Sequence, residues 1–219
     1  MSYVAGLSRT LRHLQTDTAR LSVTAVSRTA GRLAFAVQIE NLAGHKFPTA
    51  YPSRRAWLHV TVRDASGRVI FESGAFQPDG AVAGNDNDLD GARFEPHHLE
   101  ISRSDQVQIY ESIMAGPGGA VTTGLLTATR YVKDNRLLPA GFDKRTAGAD
   151  VAVHGDAAGD PDFVAAGDRV RYAVTAPGAA TAPLRIEVEL WFQPIAYRWA
   201  ENLRAYNAPE TNRFIRYYD

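Results

Sequence analysis

Cysteine is absent from this chain of 219 residues. Without a thiol there are no disulfides, no thiolate nucleophile, no zinc–thiolate site and no covalent c-type haem attachment through Cys-x-x-Cys-His. Long hydrophobic runs are lacking too, and nothing approaches the roughly 18 apolar residues of a membrane span. Net charge is also missing: 24 Lys and Arg balance 24 Asp and Glu. A neutral chain is not expected to have nucleic acid or an anionic membrane as its main partner. The opening, MSYVAGLSRTLRHLQ, has neither the apolar h-region nor the cleavage site of a secretory signal. No Gly-x-Ser-x-Gly elbow, His-Glu-x-x-His pair or phosphate-binding loop occurs. Scattered serines, histidines and aspartates suggest no particular triad, so a non-catalytic role is the expectation.

What is present is enough apolar sequence for a core, 45% of residues, punctuated by 18 Gly and 11 Pro. Residues 3 to 16 carry Val4, Leu7, Leu11 and Leu14 at helical spacing, with Arg9, Arg12 and Gln15 opposite. Only Ser2 is placed to cap that helix, and so abrupt a start suggests that sequence once preceded it. Alternating strands follow in four expected hairpins. Ala19–Val26 pairs with Arg32–Asn41, and Ala56–Asp64 with Val69–Ser73. Gln106–Met114 pairs with Val121–Val132 through Gly116-Pro117-Gly118-Gly119, and Asp168–Thr175 with Leu184–Phe192 through Pro177-Gly178. Eight strands without alternating helices predict a mainly β protein, an antiparallel β-sandwich of immunoglobulin or jelly-roll type. Beyond Ile195 the pattern turns helical, with Ala196, Trp199, Leu203 and Tyr206 on one face, and Phe214, Tyr217 and Tyr218 in a last short helix or extended tail. The organisation read from this is an N-terminal helix at 1–18, the remnant of an upstream domain, and a sandwich with a helical tail at 19–219. The long irregular stretch from Pro139 to Gly167 is expected to be functional or mobile.

The most informative polar stretch is GNDNDLDGARFEPHH, residues 84–98. Asp86, Asp88 and Asp90 alternate and Gly91 follows, which is the opening of a calcium loop: a hard cation takes six to eight oxygens, and glycine permits the sharp turn. The pattern departs from an EF-hand, because His97 stands where a bidentate glutamate belongs and no amphipathic helices flank the loop. Glu95 is the nearest substitute, and Glu111, on the strand with Gln106, Gln108 and Tyr110, is the further ligand expected. Calcium is therefore the expected cofactor; a solvated acidic turn, or a transition-metal site using His97 and His98, are the alternatives. Asp160, Asp162 and Asp168 are candidates for a second oxygen site. Lys133, Asp134, Asn135 and Arg136 read as a turn with internal salt bridges. Trp57, Trp191 and Trp199 read as core residues rather than a sugar-stacking platform.

A second polar stretch, GHKFPTAYPSRR at residues 44–55, is a shaped loop between strands. His45 offers an imidazole to a metal or haem. Arg54 and Arg55 can clamp a carboxylate or haem propionate, although neighbours in extended chain point apart, so that one is expected to pair with a local acid and the other to be solvated. Here NLAGHKFPTAYPSRRAWLHVTVRDASGRVIFESG resembles the non-haem, β-rich C-terminal region of bacterial multihaem cytochrome c-like proteins. In that family a segment close to N-x-x-GHK-x-PTG-x-P-x-RR-x-W-L leads the domain. GNDND, EPHH, DQVQIYE and KDNRLLPAGFDK are similar to its later blocks. Ala50 stands where the pattern has glycine. The resemblance implies an accessory module, calcium-stabilised, working periplasmically or extracellularly beside a haem-binding domain or cytochrome subunit, with His45, Arg54 and Arg55 as haem or partner contacts. Without Cys-x-x-Cys-His the chain itself holds no covalent haem. Two other readings compete: a metal-dependent hydrolase built on Asp86, Asp88, Glu95, His97 and His98, and a calcium-dependent carbohydrate-binding module.

Overall fold

The computed structural model describes residues 3–178 and 181–219, so the expected cap Ser2 lies outside the described residues. Helix α1 (Tyr3–Thr16) is followed by β1 (Ala19–Thr29) and β2 (Gly31–Asn41), then β3 (Arg55–Asp64) and β4 (Val69–Ser73). A one-turn helix α2 (Asp86–Leu89) leads to β5 (Glu100–Ile101), β6 (Ile109–Tyr110), β7 (Ser112–Ala115), β8 (Val121–Thr122) and β9 (Arg130–Asp134). The long strands β10 (Gly167–Ala176) and β11 (Leu184–Gln193) precede α3 (Tyr197–Arg204) and α4 (Pro209–Tyr218). The protein is mainly β, as the alternation predicts, and its last segment is a helix rather than an extended tail.

Two sheets face each other, one ordered β1-β2-β10-β5 and the other β11-β3-β4 with β6 added on β3. Leu33, Phe35, Val37 and Ile39 of β2 and Val170, Tyr172 and Val174 of β10 point inward from the first sheet. They meet Ala56, Leu58, Val60 and Val62 of β3, with Ile186, Val188 and Leu190 of β11 packed against them. Burying each such Val, Leu or Ile contributes about 1.5–3 kcal/mol relative to leaving it in water. Strand β3 is covered on both sides: Trp57, on its outer face, packs with Val82, Val107, Ile109 and Trp191 in a second cluster.

The β1–β2 and β3–β4 hairpins form as expected. The third forms in part, as β7 and β8 around Gly116–Gly119, and the fourth does not. Strand β10 lies against β2, and β11 against β3, so the chain at Pro177-Gly178 crosses from one sheet to the other. Alternation identifies a strand's inward set but not the sheet it belongs to, because either sheet of a sandwich buries such a set. The expected strand 106–114 breaks at Glu111: β6 joins β3, while β7 pairs with β8 and β9 in a small third sheet. Ala50 has φ +63°, a left-handed conformation that costs an L-residue about 1–2 kcal/mol and glycine almost nothing.

Candidate interaction surface and the acidic loop

In the acidic loop, Asn85 caps α2 by accepting the backbone N–H of Asn87. Asp88 does not turn outward. One of its oxygens accepts from Arg55 Nη1 at 2.8 Å and the other from the Val82 N–H at 2.8 Å. Arg55, 1% exposed, also donates to Gln193 Oε1 at 2.8 Å and to the Gly80 carbonyl at 3.2 Å, with its guanidinium over the Trp57 ring. Arg198 of α3 donates to the carbonyls of Asn87 and Asp88. The loop is thus clamped between β3, β11 and the C-terminal helices by a buried, fully hydrogen-bonded ion pair.

The other expected ligands are dispersed. Asp86 accepts from Arg93, and Asp90 from the Ala92 N–H. Glu95 accepts from His98 Nε2 at 2.6 Å and from the backbone of Val107 and Asp86. Glu111 pairs with Lys133 at 2.9 Å. The ligand set Asp86, Asp88, Asp90, Glu95 and Glu111 therefore does not converge, because each carboxylate is held by a different protein donor. Among the described residues, one trio of His, Asp or Glu brings its ligand atoms within 4.8 Å of one another: His97, Asp160 and Asp168.

That trio sits in a buried polar layer. Nε2 of His97, a residue 4% exposed, lies 3.0 Å from Asp160 Oδ2. Nδ1 faces Gln108 Nε2 at 2.8 Å and Asn135 Nδ2 at 3.0 Å. Both amides are oriented by backbone: Gln108 Oε1 accepts the His98 N–H, while Asn135 Oδ1 accepts the Glu111 N–H and its Nδ2 donates to the Ile109 carbonyl. Nδ1 must then accept, so the proton is on Nε2 and points at Asp160. A metal on Nε2 would displace that proton and leave Nδ1 facing two donors, so this donor set fits a neutral histidine better than a metal centre. Asp168 accepts from Tyr110 Oη at 2.7 Å and Gln108 Nε2 at 3.2 Å, and burial raises its carboxyl above the usual range. For Asp160 burial acts upward as well, but the hydrogen bonds from His97 and the Asp162 N–H win and lower it. Asp162, expected beside them, pairs instead with Arg171. Gln108 and Tyr110, on the strand expected to carry Glu111, are buried. Lys144, in the long 139–167 stretch, donates to the Asp160 carbonyl.

The GHK loop is fixed by the same layer. Asn41 Nδ2 donates to the carbonyls of His45, Leu137 and Leu138. Lys46 Nζ reaches Asp134 Oδ2 at 2.8 Å, and Arg136 donates to both oxygens of that carboxylate at 2.8 Å. Burial dominates Lys46 and lowers it, one carboxylate being too little compensation. Burial also opposes ionisation of Asp134, but Arg136 and Lys46 together hold its carboxyl below the usual range. The expected turn salt bridge is therefore Asp134–Arg136, while Lys133 goes to Glu111. Of the three expected contacts, His45 is exposed. Arg54 is half-buried and donates to the Thr49 carbonyl. Arg55 is enclosed in its clamp, where no partner reaches it.

Exposed apolar surface lies on α1, where no residue is buried. Val4, Leu7 and Leu11 are 66%, 50% and 48% exposed, and only Leu14, half-buried, engages the body. Beside it runs a groove of about 420 Å³ lined by Leu14, Leu21, Phe47, Leu190 and Phe192. Periodicity identified the stripe but could not show that it would remain uncovered.

Of the residues on which the hydrolase reading rests, Asp88 is clamped by Arg55, and Glu95 and His97 are buried. Trp57 is buried and Trp191 is tilted 64° against it. The described residues form a mainly β domain with helical ends and an uncovered apolar stripe on α1. No family model and no curated protein matches the chain. Among solved structures it is similar to the penta-heme cytochrome c552 from Thermochromatium tepidum, with a TM-score of 0.52 and 17% identity over 90% of this chain. The chain spans 37% of the length of that cytochrome. At this identity the likeness is one of fold.

Proposed function

We propose that the chain is a non-catalytic accessory module that packs on a haem-carrying domain or cytochrome subunit outside the cytoplasm. The observation that carries this is the uncovered stripe Val4, Leu7 and Leu11 beside an apolar groove, on a fold shared with part of a penta-heme cytochrome. Isolated apolar side chains are normal on a surface, but a stripe continuous with a groove marks an interaction site. His45 and Arg54, in the loop that also supplies Phe47 to the groove, are the residues proposed to face the haem partner. The module assists electron transfer by assembly and holds no covalent haem of its own, having no cysteine. Calcium is not required in this reading, since protein donors already occupy the acidic loop.

The test is capture on immobilised full-length protein from a solubilised extract of the source cells, read by staining for covalently bound haem. Retention of a haem-staining protein by the wild type, and its loss with Leu11→Asp, is the expected result. Capture of no haem protein, or equal capture by both, would overturn the proposal.

A further inference from the structure

Among the described residues, one sheet edge is both long and flat. Strand β11 ends the sheet β11-β3-β4 and pairs with β3 along all 10 of its residues without a register shift. The other long edge, β1, is broken by a bulge between Thr24 and Ser27, where Ala25 has φ +51°. Strands β4 and β5 are short, 5 and 2 residues. Proline, lysine and bulges keep natural edges from pairing, and β11 has none of them. The phase of the ladder shows which of its groups are open. The Leu58 N–H donates to the Gln108 carbonyl at 3.0 Å, on the β6 side of β3. In an antiparallel strand the N–H and C=O of one residue point the same way, and successive residues alternate. Trp57, His59 and Thr61 therefore bond to their opposites Trp191, Glu189 and Glu187. Ile186, Val188 and Leu190 aim their N–H and C=O groups away from the sheet, where no described residue meets them.

The side chains on the solvent face decide what fits this edge. Arg185, Glu187 and Glu189 run along it, with side chains 74%, 39% and 58% exposed. A complementary strand sets an acid opposite Arg185 and a base opposite Glu189. A second copy of β11, antiparallel and turned about Glu187, does both: Arg185 of each copy meets Glu189 of the other. Glu187 then meets its own image, but each is already flanked by Arg63 Nε at 3.2 Å and Arg185 Nη2 at 2.8 Å. Turning about Val188 would set Glu187 against Glu189, and turning about Ile186 would shorten the overlap. About Glu187 the overlap runs from Leu184 to Leu190, and the open groups match: Ile186 exchanges both bonds with Val188 of the second copy, and Leu184 with Leu190. We propose that the chain forms a twofold dimer by adding β11 to β11, which joins two β11-β3-β4 sheets into one. This pairing rests neither on the α1 stripe nor on the docking role proposed above.

Sedimentation equilibrium combined with amide hydrogen exchange tests this on the full chain. The expected result is a monomer–dimer equilibrium. The amides of Ile186, Val188 and Leu190 should exchange quickly in dilute solution and slowly in the dimer, while those of Glu187 and Glu189 are protected in both. Arg185→Glu sets Glu against Glu and should raise the dimer dissociation constant about tenfold. Arg185→Glu with Glu189→Arg rebuilds both cross pairs and should restore it. Val188→Pro removes an N–H that the monomer does not use and should abolish the dimer. Its melting curve reports whether the fold is kept, and the exposed charge variants decide the matter if it is not. A chain that stays monomeric at every accessible concentration would overturn the proposal. So would a dimer indifferent to the charge exchange, or one whose Ile186, Val188 and Leu190 amides stay unprotected. A dimer that Leu11→Asp dissolves would overturn it as well, by placing the contact on α1.

Discussion

Arg55 is where three parts of the chain are joined: the strand it begins, the acidic loop through Asp88, and β11 through Gln193. Removing one partner of a buried pair strands the other charge in a low-dielectric interior, at a cost of about 3–5 kcal/mol. Arg55→Met should therefore lower the urea-unfolding free energy by that amount, and Arg55→Met with Asp88→Leu should lose less than Arg55→Met alone. A double variant as unstable as the single one would mean that packing, not charge, holds the loop. Little of this was legible in the residues. Two adjacent arginines suggest that one is paired, but the partner lies 33 positions on, and no spacing rule reaches so far. Asp-x-Asp-x-Asp-Gly is equally at home as a calcium loop and as a capped turn. The two differ only in which donors the fold brings to the carboxylates, here Arg55, Arg93 and backbone N–H groups.

At the scale of elements, α1 shows that periodicity and packing are separate facts. Its boundaries follow from the stripe Val4, Leu7, Leu11 and Leu14, yet the stripe is buried by nothing among the described residues except at Leu14. An exposed substitution away from special features changes stability by about 0.5 kcal/mol or less. Leu11→Asp should thus leave the melting temperature within about 2 °C of wild type for a domain of this size while abolishing partner capture. A larger drop would show that the stripe is covered within the chain. Strands were legible where each alternates over a long run, as in β2 and β3, whose turns also end in glycine. They were not where the chain changes sheets. Glu111 looks like one more polar position in QVQIYESIM, but it is the residue at which the strand leaves β3 for a third sheet. Gln108 looks like strand surface because amides usually are. It is buried because His97, Asp168 and the His98 N–H satisfy it there, a long-range circumstance that local pattern does not encode.

For the molecule as a whole, neutrality hides both a basic N-terminal segment and a set of interior charges paired across distant segments. Since the carboxylates of the acidic loop have protein donors, adding EDTA and then excess calcium should move the melting temperature by less than about 1 °C. A ligand at a hundredfold its Kd would add about 2.7 kcal/mol and several degrees, so calorimetry distinguishes the cases readily. Acid should act where calcium does not. The Asp134 carboxyl is depressed in the folded state, so its stabilisation is complete above the unfolded carboxylate value near 4 and is lost as pH falls through the lower folded value. Asp160 acts in the same sense. Asp168, raised by burial, acts in the opposite one: its folded state holds the proton more tightly, and its contribution declines as pH rises through that raised value. Asp134→Asn leaves Lys46 and Arg136 without their shared carboxylate and should cost about 3 kcal/mol at pH 7. Below the folded pKa the wild-type carboxyl is protonated too, so the two urea-unfolding curves should converge in strong acid. A gap as wide in strong acid as at neutral pH would mean that Asp134 contributes through shape and hydrogen bonding alone, and that its charge does not tie the GHK loop to the sandwich.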